Sequence, residues 1–305
     1  LDCDESHAPA ILSTTLRVQV ALSVMLGLPL WHMDVSNAFQ STPAPLVDGK
    51  RIWLRCFPEC LMWLQERHPD LWTKVDALVQ KQPAHMLALE MFKMVQGCVD
   101  APRKWQELIE KILMHADHGL CLKSNRADPC FCTGTIDGSP VLLSRATDDL
   151  LVSASKTVCL KILATMKGAG WKMHNKGLAS FFFGIRICQS DDGVSIDQAP
   201  HATEVVASVL GKDWATRLKT GVKHSIPLPA GSEFEAALVN ETPFDAPSLA
   251  SAELKCGFKH RSILCGFMHL GLWTRPDLMP SLVRLSRFQS APGEAHFKAL
   301  QSIVL

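Results

Sequence analysis

The chain contains no tyrosine among its 305 residues, which is a clear departure from ordinary amino-acid usage. It also lacks a long apolar run. The most hydrophobic stretch, residues 18–31, is interrupted by Gln19, Ser23 and Pro29 and is too short to cross a bilayer. The chain starts without an initiator Met or a basic leader segment. We therefore expect an unsecreted fragment of a longer protein, with no membrane partner.

Charge and cysteine content exclude further classes. The formal net charge is +1, so a basic footprint for nucleic acid can only be local. Such a footprint lies from residue 255 onward, where the sequence has seven basic residues and only two acidic ones, Asp277 and Glu294. The 11 cysteines have no framework spacing and predict a reduced, intracellular setting. Cys130-x-Cys132 and Cys56-x3-Cys60 lack the spacing of a zinc site, and we interpret them as buried thiols.

The apolar fraction of 47% allows a substantial core. Helical and strand patterns are mixed along the chain without regular βαβ alternation, which favours an α+β fold. The predicted helices begin near Ser13, Pro102 and Ser155, with three more near 258–272, 277–289 and 294–305. The predicted strands cover 28–35, 52–54, the region around Phe131, 141–154, 181–187 and 193–196. Residues 227–247 are rich in Pro, Ala, Ser and Glu and predict a linker.

The adjacent carboxylates Asp148 and Asp149 lie between two apolar, β-prone segments, as at the tip of a hairpin. Two carboxylates this close repel each other, and a divalent cation relieves that repulsion. Asp34 ends a predicted strand and shares a face with His32. Three converging carboxylates would suit two Mg²⁺ ions, which prefer oxygen ligands. Taken alone, the acidic pair is more typical of a solvated turn than of a metal site, and spacing alone does not show that the three carboxylates converge.

An ordered set of motifs covers nearly the whole chain. The segments, in chain order, are Asp2-Cys3-Asp4-Glu5, His32-Met33-Asp34-Val35, Gly97 with Ala101-Pro102-Arg103-Lys104-Trp105, Ala127-Asp128-Pro129-Cys130, Thr147-Asp148-Asp149-Leu150-Leu151, Phe181-Phe182-Phe183-Gly184-Ile185, Ile226-Pro227-Leu228-Pro229 and Thr274-Arg275-Pro276-Asp277. In this set and its order, the chain resembles the reverse transcriptase region of copia-type (Pseudoviridae) LTR retrotransposon polyproteins.

The resemblance implies a right-hand polymerase fold. Residues 1–205 would form the fingers and palm, an antiparallel sheet with helices, and residues 206–305 a helical thumb and connection. The implied reaction is addition of deoxynucleotides to a primer on an RNA or DNA template, with two Mg²⁺ ions as cofactors and Mn²⁺ as a substitute. The RNase H and integrase segments of the parent polyprotein are expected outside this chain. The implied location is a cytoplasmic particle or the nucleus.

The resemblance also implies roles for individual residues. Asp34, Asp148 and Asp149 would bind the metal ions and act in catalysis. Phe39 would exclude a ribose 2′-OH, Gln96 and Gly97 would lie beside the incoming nucleotide, and Arg17 would approach its triphosphate. The alternatives are a core position for Phe39, a plain turn for Gly97 and a solvated helix face for Arg17.

Weaker roles follow for four basic residues and one turn. Phe183-Gly184-Ile185 would be the primer grip, or simply a strand bulge. Lys172 and Lys176 are candidates for protonating the pyrophosphate leaving group. Arg284 and Arg287 would contact the duplex backbone, or form only a wet helix surface.

Departures from the family pattern predict a second possibility. Ala146 and Thr147 replace the hairpin Tyr-Val, Ser36-Asn37 replaces Lys-Thr, and Asp100 replaces Gln and adds negative charge near the substrate. Four positions that are tyrosine in the family are Cys3, Cys132, His260 and His269 here. A Cys or His codon can arise from a tyrosine codon by a single-base transition. We hypothesise that this copy has decayed by mutation, and the alternative function is an inactive remnant that folds and binds nucleic acid only.

Overall fold

The computed structural model describes residues 10–44, 51–55, 57–80, 88–115, 119–220, 227–229 and 231–304. The helices are α1 Ser13–Met25, α2 Ala38–Ser41, α3 Pro58–Arg67, α4 Pro69–Val79, α5 Ala101–Met114, α6 Lys156–Gly168, α7 Ala199–Leu210, α8 Trp214–Thr220, α9 Ser232–Val239, α10 Ala246–Cys256, α11 His260–Trp273, α12 Met279–Ser286 and α13 Glu294–Ser302. The strands are β1 Leu30–Val35, β2 Trp53–Arg55, β3 Ala88–Glu90, β4 Lys123–Ser124, β5 Phe131–Ile136, β6 Ser139–Ala146, β7 Asp149–Ser153, β8 Met173–Leu178, β9 Phe181–Phe182, β10 Ile185–Ser190 and β11 Gly193–Asp197.

These elements form two compact units. The first, which we call the sheet unit, contains the described residues up to Leu12 together with Met33–Gly177. The second, the helical unit, contains Ser13–His32 and the described residues from Leu178 onward. Strand β1 passes from the helical unit into the sheet unit at Met33. These units are defined by how the residues pack. The predicted division at residue 205 instead separates fingers and palm from thumb and connection, and it stays a prediction.

The sheet unit is built on six strands in the order β4-β5-β6-β7-β1-β8. The central hairpin, β6-β7, is antiparallel and pairs Ala146 with Asp149 and Ser144 with Leu151. Residues 141–146 and 150–153 are all buried, which shows that both faces of these strands are covered. On α5, the helical period places Trp105, Ile109 and Leu113 in the core. The predicted helix from Pro102 is therefore confirmed, with its apolar stripe.

The helical unit combines a small sheet, in the order β11-β10-β9, with helices around an apolar core. That core includes Leu264, Phe267, Leu282, Leu285, Phe297 and Leu300. The mixed helices and antiparallel strands of the two units confirm the predicted α+β class. The fingers, palm and thumb subdivision stays a prediction. In the part of the chain that the structure describes, no helix is long and apolar enough to cross a membrane.

Three local predictions are wrong. The predicted linker contains α9, because Leu238 is buried in the core of the helical unit. The predicted strand 181–187 is broken by a turn at Phe183 and Gly184, whose φ values are 49° and 78°. Cys60 is exposed rather than buried, whereas Cys130 and Cys132 are buried as expected. Cys56 lies outside the described residues.

The predicted helix near 277–289 is split and shorter than expected. It consists of a 3-10 turn, Pro276–Leu278, followed by α12. The last predicted helix ends at Ser302 rather than at the end of the chain.

Candidate active site

The acidic pair lies at the turn of the β6-β7 hairpin, as predicted. Thr147 and Asp148 form the two-residue turn, and Asp149 begins β7. Thr147 has a left-handed φ of 57°, which is unusual for a β-branched residue. The indole Nε1 of the buried Trp105 donates a hydrogen bond of 2.7 Å to the Thr147 carbonyl oxygen. This hydrogen bond holds the backbone of the turn in place and compensates for the strained conformation of Thr147.

The end of β1 brings the third carboxylate beside this turn. The Val35 amide donates a hydrogen bond of 3.0 Å to the Asp148 carbonyl oxygen, and Asp34 immediately precedes Val35. On the other side of β1, the Ser36 amide bonds the carbonyl of Lys172 just before β8. The buried Met33 and Val35 anchor the strand, while Asp34 is only partly buried. The predicted approach of Asp34 to the acidic hairpin is therefore present in the backbone hydrogen bonding.

The electrostatics of the site reflect this crowding. Burial raises the pKa of the Asp148 carboxyl, and the charges of Asp149 and Asp34 raise it further. The Lys176 Nζ lies 3.4 Å from Oδ1 of Asp34 and 3.3 Å from Oδ1 of Asp149. Burial lowers the pKa of Lys176, but its attraction to Asp149 and Asp34 outweighs that effect and the net shift is upward. The site thus holds three carboxyl groups and one ammonium group.

A cavity of about 270 Å³ opens on the Asp34 and Asp148 side of this cluster. Its lining includes Asp34, Asp148, Phe39 and Gln96. Four of the residues singled out from sequence therefore surround one space. The small, mostly polar lining suits a charged ligand better than an apolar one.

Phe39 packs partly in an apolar cluster and also lines the cavity, so it has features of both predicted alternatives. It belongs to the short helix α2, which begins after Asn37 with its left-handed φ of 55°. One side of Phe39 packs against the small apolar cluster around Met91 and Met94, and the ring is partly buried. The residue also lines the cavity. The apolar packing therefore fixes the position of an aromatic ring that the cavity still reaches.

Gln96 and Gly97 form a turn beside the cavity. Gly97 has a φ of 94°, and a Cβ built on it would meet no atom within 4 Å. Its backbone conformation alone accounts for glycine at this position. A role for Gly97 beside a nucleotide stays a prediction.

The donor chemistry of the cluster fits a hard divalent cation. Asp34, Asp148 and Asp149 offer only carboxylate oxygens, the ligands that Mg²⁺ prefers. A cationic group, the Lys176 ammonium, already lies between two of these carboxylates. In the described part of the chain, no three His, Cys, Asp or Glu side chains are arranged as a finished metal site. The residues therefore fit the ion in type, while their side chains hold a lysine in the described arrangement.

A second set of contacts supports the hairpin and was not predicted from sequence. The buried Arg145 lies 2.8 Å from Glu110 of α5 and donates a 2.9 Å hydrogen bond to the Pro129 carbonyl. The buried Asp128 accepts hydrogen bonds from the amides of Leu12, at 2.9 Å, and Cys130, at 3.0 Å. The segment around Asp128 had been noticed only as a family motif. A charged residue predicted in a buried strand, such as Arg145, is the signal that could have revealed the support.

The family departures have structural consequences at two positions. Ala146 is buried and forms an isolated β-bridge with Ala10. The amide of Ile11 bonds the Arg145 carbonyl at 3.2 Å, so the segment before α1 runs along this part of β6. Asp100 is paired with Arg103 at 3.3 Å, which partly neutralises the charge that the sequence comparison expected near the substrate. Cys3 lies outside the described residues.

Four predicted site residues lie in the helical unit. The exposed Arg17 donates to the carbonyls of Leu272, at 3.2 Å, and Trp273, both at the end of α11. A guanidinium group at the C-terminal carbonyls of a helix is a stabilising arrangement. This contact gives Arg17 a structural role, and its approach to a triphosphate stays a prediction.

In the predicted primer grip, Phe183 and Gly184 form a two-residue turn between β9 and β10, and Ile185 is the first residue of β10. A Cβ on Gly184 would lie 2.7 Å from the His269 Nε2, so a larger residue here would have to displace His269 as well as adopt a strained φ. The Phe183 ring contacts the rings of His269 and Trp273 with centroid distances of 6.0 Å and 5.7 Å. The bulge that was considered as an alternative is therefore replaced by a tight hairpin turn.

The helix-surface interpretation of Arg284 and Arg287 also changes. Both guanidinium groups pair with Glu235 of α9, at 2.8 Å and 2.9 Å. These contacts tie α12 to the segment that had been predicted as a linker.

Comparisons with known proteins show what the chain is similar to. The family model for "Reverse transcriptase (RNA-dependent DNA polymerase)" matches residues 75–216, a range that contains Asp148 and Asp149. The Retrovirus-related Pol polyproteins from transposons RE2 and RE1 of Arabidopsis thaliana are 22% and 21% identical over the whole chain. The chain is therefore similar to a reverse transcriptase over residues 75–216, and to retrotransposon Pol polyproteins over its whole length. The predicted resemblance to copia-type elements is thereby confirmed.

The chain corresponds to only part of the length of these relatives. The chain spans 18% of the length of the RE2 and RE1 polyproteins. It spans 20% of a similar Pol polyprotein from transposon TNT 1-94 of Nicotiana tabacum, to which it is 21% identical. No solved structure matches the chain.

Proposed function

We propose that this region is an RNA-directed DNA polymerase that adds deoxynucleotides to a primer end on an RNA or DNA template. The observation that carries the proposal is the hydrogen bond between the Val35 amide and the Asp148 carbonyl. It joins the end of β1 to the acidic hairpin, so that Asp34 and Asp148 line the same cavity as Phe39 and Gln96.

The three carboxylates supply the negative charge that the reaction needs. Asp34, Asp148 and Asp149 are proposed to hold two Mg²⁺ ions, or Mn²⁺ in their place, and such ions stabilise the attacking and leaving oxygens of an in-line displacement. The protein's own contribution is positional. The Trp105 bond to the turn and the β1 bond to Asp148 fix the backbone under two of the carboxylates, and such preorganisation supplies much of the rate enhancement in phosphoryl transfer.

Phe39, Gln96 and Gly97 are proposed to contact the incoming nucleotide. The Phe39 ring is fixed on one side by Met91 and Met94 and lines the cavity on the other. A ring held in this way would exclude a ribose 2′-OH by steric overlap. Gln96 lines the same cavity, and the open space around Gly97 leaves room for close approach of a ligand to the backbone.

Other parts of the proposed polymerase lie outside this cavity. Phe183-Gly184-Ile185 is proposed as the primer grip, Arg17 as a triphosphate contact and Lys172 or Lys176 as the proton donor to pyrophosphate. Residues 1–205 would be the fingers and palm and residues 206–305 the thumb and connection of a right-hand fold. RNase H and integrase segments of a parent polyprotein, and a cytoplasmic particle or the nucleus as its location, belong to the same proposal.

A second candidate function is an inactive remnant that folds and binds nucleic acid. The observation in its favour is the buried Ala146, which forms a bridge with Ala10 where the family carries a tyrosine. Without that ring, the primer end has one contact fewer. Such a remnant would bind a template–primer duplex but would not extend it.

Primer extension distinguishes the two functions. The purified chain is incubated with a poly-A template, an oligo-dT primer, thymidine triphosphate and Mg²⁺. We expect incorporation that Asp148→Asn abolishes, because the substitution removes one metal-binding carboxylate. Asp137→Asn is the matched control, since Asp137 also lies at a hairpin turn of the sheet but pairs with Lys161. A folded chain that binds the duplex and incorporates no nucleotide at any Mg²⁺ or Mn²⁺ concentration would refute the polymerase and support the remnant.

A further inference from the structure

The Lys176 ammonium group lies between two of the three proposed metal ligands. Its Nζ is 3.4 Å from Oδ1 of Asp34 and 3.3 Å from Oδ1 of Asp149, so one ammonium group bridges two carboxylates from different strands. These carboxylates are the proposed metal ligands. A lysine in this position satisfies electrostatically the same oxygens that an ion would use.

The backbone of β8 holds Lys176 in place. The main-chain bond from Ser36 to the Lys172 carbonyl sets β8 beside the end of β1. After Lys176, Gly177 has a left-handed φ of 86°, and its amide donates a 2.9 Å hydrogen bond to the Asn175 side chain. This side-chain bond spans Lys176 and restrains its backbone, so the ammonium group reaches the cluster from a defined point.

The contact is also easy to break. The Lys176 side chain is 45% exposed, and the carboxylates are 25% and 33% exposed. Ion pairs with this much exposure are weak, since water screens them and the lysine loses rotamer freedom. A divalent ion carries twice the charge and coordinates carboxylate oxygens directly, at about 2.0–2.1 Å for Mg²⁺. Lys176 therefore competes with the ion without excluding it.

We propose that Lys176 is a built-in competitor of the catalytic divalent cation: its ammonium group neutralises Asp34 and Asp149 in the metal-free protein and must leave before both carboxylates bind an ion. The inference rests on the proposed function, because it takes these carboxylates to be the metal ligands. It adds that this chain lowers its own metal affinity through a residue of β8.

The competition has a second consequence. The ammonium group keeps the carboxylates from repelling one another when no ion is bound, so it stabilises the hairpin in the metal-free state. Removing the charge should therefore raise the affinity for the metal ion and, at the same time, lower the free energy of unfolding measured without metal. A residue that only filled space would not couple the two properties.

Direct measurement of Mn²⁺ binding tests the inference without relying on activity. Bound Mn²⁺ is measured by the loss of its free electron paramagnetic resonance signal as the purified chain is titrated. We expect Lys176→Met to bind Mn²⁺ about tenfold more tightly than the unaltered chain, equivalent to 1.4 kcal/mol. Lys176→Arg keeps the positive charge, so its Mn²⁺ affinity should stay close to that of the unaltered chain.

Lys161→Met is the matched control for net charge. Lys161 pairs at 2.6 Å with Asp137, at the turn before β6, whereas the acidic turn follows β6. The length of β6, about 20 Å or more at about 3.3 Å per residue, separates the two turns. Substitution of Lys161 should leave the Mn²⁺ affinity within about twofold, because exposed charges are screened beyond about 10 Å. Circular dichroism confirms that each variant is folded before titration.

The outcomes separate this inference from the proposed polymerase. Tighter Mn²⁺ binding by Lys176→Met, lost again in Lys176→Met with Asp34→Asn, supports the competition even if no nucleotide is incorporated. Nucleotide incorporation with equal or weaker Mn²⁺ binding by Lys176→Met overturns the competition and leaves the polymerase standing. Absence of Mn²⁺ binding by every folded variant also overturns it, since the lysine then has no ion to compete with.

Discussion

The hydrogen bond from Trp105 to the turn of the acidic hairpin gives the sharpest structural prediction. Trp105→Phe keeps an aromatic ring in the core but removes Nε1, the donor to the Thr147 carbonyl at 2.7 Å. Thr147 is only partly buried, so water can replace part of the bond and its loss costs about 1 kcal/mol. The missing part of the buried indole costs about 1 kcal/mol more in packing. We expect the hairpin to open with about 2 kcal/mol less free energy, which is about thirtyfold more often.

Hydrogen–deuterium exchange of the peptide covering residues 139–153 measures this opening directly, under conditions in which exchange reports the open population. Trp171→Phe is the matched control. Trp171 is buried and its ring lies 4.9 Å from that of Trp105, but its indole is not the donor to Thr147. Its substitution should cost only the packing part, about 1 kcal/mol, and speed exchange about fivefold.

The comparison between the two tryptophans decides the matter. If Trp105→Phe speeds exchange of the hairpin peptide no more than Trp171→Phe does, the bond to Thr147 does not fix the turn. An equal increase in peptides of α11, in the helical unit, would indicate general destabilisation instead. In either case the positional role assigned to Trp105 would be refuted.

Two further predictions concern the helical unit. Burial, followed by the proximity of His296, lowers the pKa of His260 to about 4 from 6.5. Folding therefore favours the neutral imidazole. The free energy of unfolding does not depend on this group above pH 6.5, and it decreases as the pH falls from 6.5 towards 4. His260→Phe should reduce this acid sensitivity of urea unfolding by up to about 3 kcal/mol, and an unchanged pH profile would contradict the prediction. Gly184→Ala should destabilise by about 2–3 kcal/mol, because strain at φ 78° adds to a 2.7 Å approach to His269. Gly138→Ala has similar strain at φ 76° but no neighbour within 4 Å, so equal losses of stability would show that the His269 contact is unimportant.

Local sequence determined several features of this chain. The apolar, β-prone segments on both sides of Asp148-Asp149 were enough to predict the hairpin and its acidic turn, because strand pairing across a two-residue turn is a local property. The stripe on α5 with Trp105 at its start followed from the helical period. The order of the motifs predicted the family. Asp34 near the end of a strand was also predictable, since the alternation along residues 28–35 places it with His32 on the polar face.

Tertiary structure decided what these pieces do together. The approach of Asp34 to Asp148 depends on β1 entering the sheet beside β7, a pairing between segments far apart in sequence. Lys176 reaches the carboxylates only because β8 lies on the other side of β1. Likewise, the predicted linker contains α9 because Leu238 packs in the core of the helical unit and Glu235 pairs with Arg284 of α12 and with Arg287, which follows that helix.

The same division holds for the acidic pair itself. Sequence placed two carboxylates at a turn and left open whether they bind a metal ion or only face water. The fold added Asp34, a cavity bounded by Phe39 and Gln96, and an ammonium group between two of the carboxylates. Periodicity and turn chemistry act between neighbours along the chain, so they determine elements. Contacts between remote strands depend on how those elements pack, and they alone determine the charge balance of the site.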